Sequence, residues 1–240
     1  MSPRFVIRVT CILLGFFGGG LYAYAQQAGE KLVDAHNDIE QINDAVLISN
    51  VSVDGKTVEC GLFVKPPLVI QPVTPFRASS NWLQQMTISL VNRTDKTIVF
   101  GSLLFRFLDT GDCHNLPCVA KTLSFGQMPA VDAYDGRTGQ PLRFDHPNQV
   151  PLNWKSGQTL VVHVSDYMNK IEERLADSIP VTAVTKLFIS RGAFYFEDGM
   201  RWDLGRYSVP DPDHHGKFKE LPSDYFPGIK GNNWPPGYSQ

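Results

Sequence analysis

Residues 184–212 read VTKLFISRGAFYFEDGMRWDLGRYSVPDP, with the triplet Glu197-Asp198-Gly199 in the middle. Leu187, Ile189, Ala193, Tyr195 and Trp202 sit among β-branched, aromatic and polar partners on either side of it, the composition of pleated strands. Asp198-Gly199 supplies the positive φ that a tight reversal requires. The stretch is therefore expected to be a closing β-hairpin. Beyond Trp202 the chain runs through Gly205-Arg206-Tyr207 to Pro210-Asp211-Pro212, where two prolines cannot donate to a ladder and the strand must stop.

Upstream the same signals recur. Residues 46–53 alternate, Asp54-Gly55 is a hairpin turn, and 57–64 reads as its return strand before Lys65-Pro66-Pro67 ends it. A second hairpin is expected from the aliphatic run around Leu83, Met86, Ile88 and Leu90, the polar turn 92–96, and the return through 97–100 and 103–108. Residues 159–164 form a strong strand. Ser165 or Asp166 can then cap a helix over about 167–177, with Tyr167, Ile171 and Leu175 on one stripe.

Between these elements, 109–154 is rich in Gly, Pro and Asp with only brief apolar runs. An excursion of that length without regular structure is expected to be functional or disordered. Residues 26–44 are polar with weak helical spacing in Leu32, Ala35, Ile39 and Ile42, which suggests a flexible or weakly helical arm. The tail 213–240 is Pro, Gly and Asp with aromatics such as Tyr225, Phe226 and Trp234, read as a strap on the domain or a loose end.

Composition narrows the class. A chain of 240 residues with a net charge of −2 gives no reason to expect a nucleic-acid partner or an anionic membrane surface. Arg4 and Arg8 precede an apolar run, and Ala23-Tyr24-Ala25 places small residues where a leader peptidase reads them, so 1–25 is expected to be a signal peptide. The mature protein would then be periplasmic or secreted, with no stable membrane anchor left. In an oxidising compartment Cys113 and Cys118 can close a small ring. Cys60 is read as a buried thiol, with a pairing to either other cysteine left open.

Strands joined by tight turns imply an all-β, antiparallel, immunoglobulin-like β-sandwich of about seven or eight strands, with one short helix and a long loop excursion, over residues 45–212. The aliphatic strand ending Val91-Asn92-Arg93-Thr94, its charged turn and the return Leu103-Leu104-Phe105-Arg106-Phe107 resemble the early strands of immunoglobulin-like sandwiches in exported bacterial proteins. Phe196-Glu197-Asp198-Gly199 leading to Trp202, Gly205 and Pro210 resembles the C-terminal hairpin of exported bacterial β-sandwich proteins with no assigned function. That resemblance covers about thirty residues and transfers no catalytic residue.

No nucleophile elbow, P-loop, dinucleotide fingerprint, HExxH or paired CxxC occurs. Asp109, Asp112, Asp132 and Asp135 are candidate calcium ligands, since the ion takes six or more oxygens from flexible loops, although Asp-Gly and Thr-Gly are also plain turn chemistry. His214-His215 follows Asp211 and Asp213, but adjacent side chains on an extended segment point apart and seldom share an ion. His114 and His163 stand alone and are given structural roles. Trp82, Trp154, Trp202, Trp234 and Tyr207 would suit either a sugar-binding face or a core.

The expectation is a non-catalytic exported protein without a cofactor, a binding or structural module of the cell envelope whose partner is another envelope or extracellular protein. The alternatives are a carboxylate-dependent hydrolase using Asp132, Asp135 and Glu197, and a calcium-stabilised adhesive or carbohydrate-binding domain. Two sequons, Asn50-Val51-Ser52 and Asn92-Arg93-Thr94, are discounted because the leader looks bacterial.

Overall fold

A computed structural model of the chain describes residues 30–38, 44–58, 61–64, 69–70, 75–111, 118–129, 150, 152–214, 216–223, 225 and 227. Among these the protein is mostly β, with two sheets and one short α-helix. The strands are β1 (Glu30–Asp38), β2 (Val46–Val53), β3 (Lys56–Thr57), β4 (Gly61–Val64), β5 (Val69–Ile70), β6 (Phe76–Ser79) and β7 (Met86–Asn92). They continue with β8 (Ile98–Phe107), β9 (Val119–Gly126), β10 (Thr159–His163), β11 (Lys186–Phe196), β12 (Arg201–Asp203), β13 (Arg206–Pro210) and β14 (Phe218–Glu220). The helix α1 (Met168–Leu175) follows β10 through a 3-10 turn.

The spine of the larger sheet is β11. Along one edge it pairs antiparallel with β8 from Leu187↔Phe107 to Phe196↔Ile98. Along the other it is shared: β1 runs parallel to its first half, and β12 pairs antiparallel with its second half at Phe194↔Trp202. The ladder continues through β13 to β14 on one side and from β1 to β4 and β5 on the other. The smaller sheet is ordered β10-β7-β2-β3.

Period-two patterning explains how the sheets meet. In β7, Met86, Ile88 and Leu90 are buried and Thr87 and Ser89 are not. In β8, Leu103, Phe105 and Phe107 are buried while Arg106 is exposed. Both sets, with Val46, Val51 and Val162 from the smaller sheet and Leu187, Ile189 and Phe194 from the larger, belong to one hydrophobic core. Core aromatics contact each other in tilted and edge-on geometry, as at Phe194 and Trp202 with centroids 5.7 Å apart.

Four expectations need correction. First, part of the arm over 26–44 is strand: β1 is an interior member of the large sheet, with Val33 and Ala35 buried. Its parallel pairing with β11 and β4 also means that the fold is not wholly antiparallel. Secondly, β7 and β8 do not pair with each other; the loop between them carries the chain from one sheet to the other. The crossing is fixed by Asn92, whose side-chain amide donates to Lys96 O and Trp154 O and whose oxygen receives Thr94 N and Oγ1. Thirdly, the return strand expected over 57–64 breaks: β3 is two residues long, and β4 joins the other sheet beside β1. Fourthly, the excursion contains a full strand, β9, paired to β8 along its length.

Other expectations hold. The reversal at Asp198-Gly199 is present, with Gly199 at φ 82°. The helix keeps Ile171 and Leu175 buried, but the expected side-chain cap from Ser165 or Asp166 does not form: Ser165 Oγ turns to Asp166 Oδ1, and Met168 N, at the helix start, donates to the Ser165 carbonyl. A fifth expectation fails: fourteen strands, not seven or eight, appear among the described residues. Part of the tail is structured too: β14 pairs with β13, Tyr225 packs edge-on against Tyr207, and Pro227 O accepts from Asp95 N.

Candidate functional site

The excursion is organised at its base. β9 leaves the edge of β8 at Gly126, opposite Phe100. The chain returns to the same edge, where Ile98 and Trp154 exchange both backbone hydrogen bonds. Between them, Gln127 N and Leu152 N donate to a single carbonyl, Val99 O, at 3.3 and 3.1 Å. Gln127 and Leu152 are thus held side by side on the same edge of the framework. Only glycine suits the departure point: Gly126 has φ 82°, and a Cβ there would stand 2.3 Å from Val99 O.

Beside Gly126, α1 and the 3-10 turn before it lie along β9. Tyr167 Oη donates to Ser124 O at 3.0 Å and Arg174 Nε to Ala120 O at 3.1 Å. Side chains that occupy the outer carbonyls of an edge strand keep another strand from adding there. Burial, followed by the nearby Asp166 carboxylate, pushes the Tyr167 phenol up to about 12.

Of the calcium candidates, Asp109 is described, and its carboxylate is engaged in a clasp. Its Oδ2 accepts Thr185 N at 2.6 Å and Lys186 N at 2.7 Å, and its Oδ1 accepts Thr185 Oγ1 at 2.7 Å. That ties the end of β8 to the start of β11. Asp112, Asp132 and Asp135 lie outside the described residues. Among the described residues no group of three His, Cys, Asp or Glu could hold a metal ion. Cys118 is disulfide-bonded; Cys113 and Cys60 lie outside the described residues, as do His114 and His215.

The aromatic set belongs to the interior. Trp82, Trp154, Trp202 and Tyr207 are all buried, so no sugar-binding platform forms from them. Each indole N–H of the first two has a carbonyl partner, Val184 O for Trp82 and Gln158 O for Trp154. Trp234 lies outside the described residues. His214 Nδ1 pairs with Asp211 Oδ2 at 2.8 Å on the surface, and His163 is exposed on β10. The hydrogen bond from Asp213 N, then that from His214, holds the Asp211 carboxyl below its ordinary range. Glu197 stands exposed on the β11–β12 turn. The first sequon is half-buried at Asn50, and in the second Asn92 is wholly buried with its amide engaged, closed to a modifying enzyme once folded.

Sequence reading missed a buried ion pair. Arg191, in the middle of β11, donates through Nη1 to Asp44 Oδ2 and to Val46 O, and the two side chains are 4% and 3% exposed. Buried charges are tolerated only when paired and hydrogen-bonded. Arg191 is the one charged residue between Leu187 and Phe196, the available clue. Near the pair, burial first and the Asp44 carboxylate second raise the Tyr207 phenol well above its ordinary value.

A concave surface lies elsewhere. A groove of about 520 Å³ runs between the β2–β3 hairpin and β6, with Val53, Val58 and Ala78 at its base. No known protein family, curated protein or solved structure matches the chain.

Proposed function

We propose that the chain is a non-catalytic exported module of the cell envelope, periplasmic or secreted, that captures another envelope or extracellular protein. Immunoglobulin-like sandwiches offer such partners their end loops, and here the segment between Gln127 and Leu152 is the contact element. The supporting observation is the shared carbonyl: Val99 O receives both Gln127 N and Leu152 N, so a long insert is carried on a rigid stem. Rigid scaffolds that present loops are a common arrangement for recognition.

The stem also dictates the test. Removing all of 110–148 would delete β9 and damage the sheet, whereas replacing 130–149 with a short Gly-Ser linker keeps β9 and both bonds to Val99. The tagged mature chain and this variant are crosslinked in their own cell envelope and captured. A specific partner held by the parent and lost by the variant, with melting temperatures matched, supports the proposal. Equal capture by both proteins overturns it.

A further inference from the structure

The groove beside the β2–β3 hairpin has walls of strand edge. On one side stands β3, on the other β6, which pairs with β1 from Glu30↔Ser79 to Val33↔Phe76. The β3 wall presents its backbone. Val53 pairs with Lys56, and Val58 N donates to Val51 O at 2.8 Å, so the ladder alternation turns the amide and carbonyl of Thr57 away from β2. Val53, Val58 and Ala78 make an apolar floor.

Both signs of charge line the groove, with Lys56 beside the Asp54-Gly55 turn and Arg77 further along β6. Ser79 Oγ donates to Gln85 Oε1 at 2.9 Å, and Asp54 N donates to Gln85 O at 3.3 Å. Glu30 is in register with Ser79, so both carboxylates gather around the Ser79–Gln85 end. Arg77 lies two residues back along β6, about 7 Å away at strand spacing, and Lys56 lines the β3 wall. Arg77, Lys56, Glu30 and Asp54 are all exposed.

We propose that this groove binds an extended peptide strand. Its backbone pairs with Thr57 in the manner of strand addition, and its side chains place a basic residue against Glu30 and Asp54 and an acidic residue, two positions away, against Arg77, with the long Lys56 side chain on the β3 wall between them. The volume lies within the range of ligand sites. This site is separate from the insert at Val99 and stands or falls apart from it.

The probe is the peptide Ac-Thr-Thr-Lys-Val-Glu-Thr-Thr-NH2, titrated into the isotope-labelled mature protein while backbone amide shifts are followed. Shifts concentrated at 54–58 and 76–79 are expected. A probe with Pro in place of Val lacks the central amide and should bind about tenfold more weakly. Joint substitution of Lys56→Glu and Arg77→Glu, both at exposed positions that leave the fold intact, should weaken the original probe about tenfold and favour its Lys-Lys analogue. Absence of shifts at those residues at millimolar peptide overturns the proposal. So do equal binding of the Pro probe and indifference to the double substitution.

Discussion

Two Asp-Gly reversals in this chain begin alike and end differently. At Asp54-Gly55 both residues are left-handed, with φ 52° and 71°, and the return strand lasts only for Lys56 and Thr57 before the chain departs for the other sheet. At Asp198-Gly199 the turn is closed by Gly199 N to Phe196 O and Met200 N to Asp198 Oδ1. The strand that follows places Trp202 in the core, a second turn at Leu204-Gly205 follows, and β13 buries Tyr207. Turn chemistry reverses the chain in both places, but ladder length follows what the return strand can bury. Lys56 and Thr57 are both exposed, and the register of β3 is held by Val58 just beyond them, which is buried and donates to Val51 O.

The sharpest break of this contrast is truncation of the inward side chain. Trp202→Ala should cost about 3–5 kcal/mol, because a large buried ring is lost and its cavity collapses only in part. Thr57→Ala, at the matching place after the first turn, should change stability by less than about 0.5 kcal/mol. Urea unfolding of the two variants measures the difference. Similar costs would mean that β3 is held as firmly as β12.

A smaller effect of opposite sign is expected at Leu204. It has φ 48° and is 81% exposed, a β-turn position that disfavours a branched hydrophobic side chain. Leu204→Asn should stabilise the protein by about 1 kcal/mol, since Asn tolerates the left-handed conformation. A fall in the urea midpoint would show that the leucine has a packing role which its exposure hides.

The contrast also marks what was legible in the sequence. The second reversal, the helical stripe of Ile171 and Leu175, and the all-β class rest on local periodicity and turn residues, which a sequence displays. The strand state of β1 depends on three partners distant in sequence, β11, β4 and β6, and its polar residues dilute the one usable signal, Val33 and Ala35 two apart. A five-residue polar turn between aliphatic runs reads the same whether the strands pair or part. The bonds from Asn92 to Lys96 O and Trp154 O decide it, and the second spans 62 residues. Trp82, Trp154 and Trp202 could not be sorted into platform or core from type alone, because burial is a property of the assembled sheets. Asp109 looked like an ion ligand because its three donors come from the chain 76 and 77 positions later.

A condition-dependent effect is expected from the charged contact that braces the second turn. Lys96 Nζ pairs with Asp198 Oδ2 across the sheet-switching loop, both side chains partly open to water at 26% and 42%. The hydrogen bond to Asp198 is the main cause that raises the Lys96 ammonium above its ordinary value of 10.5. A cation whose pKa is higher in the folded state stabilises fully below the unfolded value and loses that contribution as pH rises through the folded one. Lys96→Met, which leaves the backbone carbonyl for Asn92, should therefore cost under about 1 kcal/mol at neutral pH after screening by solvent. The gap to the parent should narrow in about 1 M salt and close once pH passes the raised lysine value. A cost that stays constant across salt and alkaline pH would assign the contribution to the aliphatic stem of Lys96, and the turn would then be held by packing, as its return strand is.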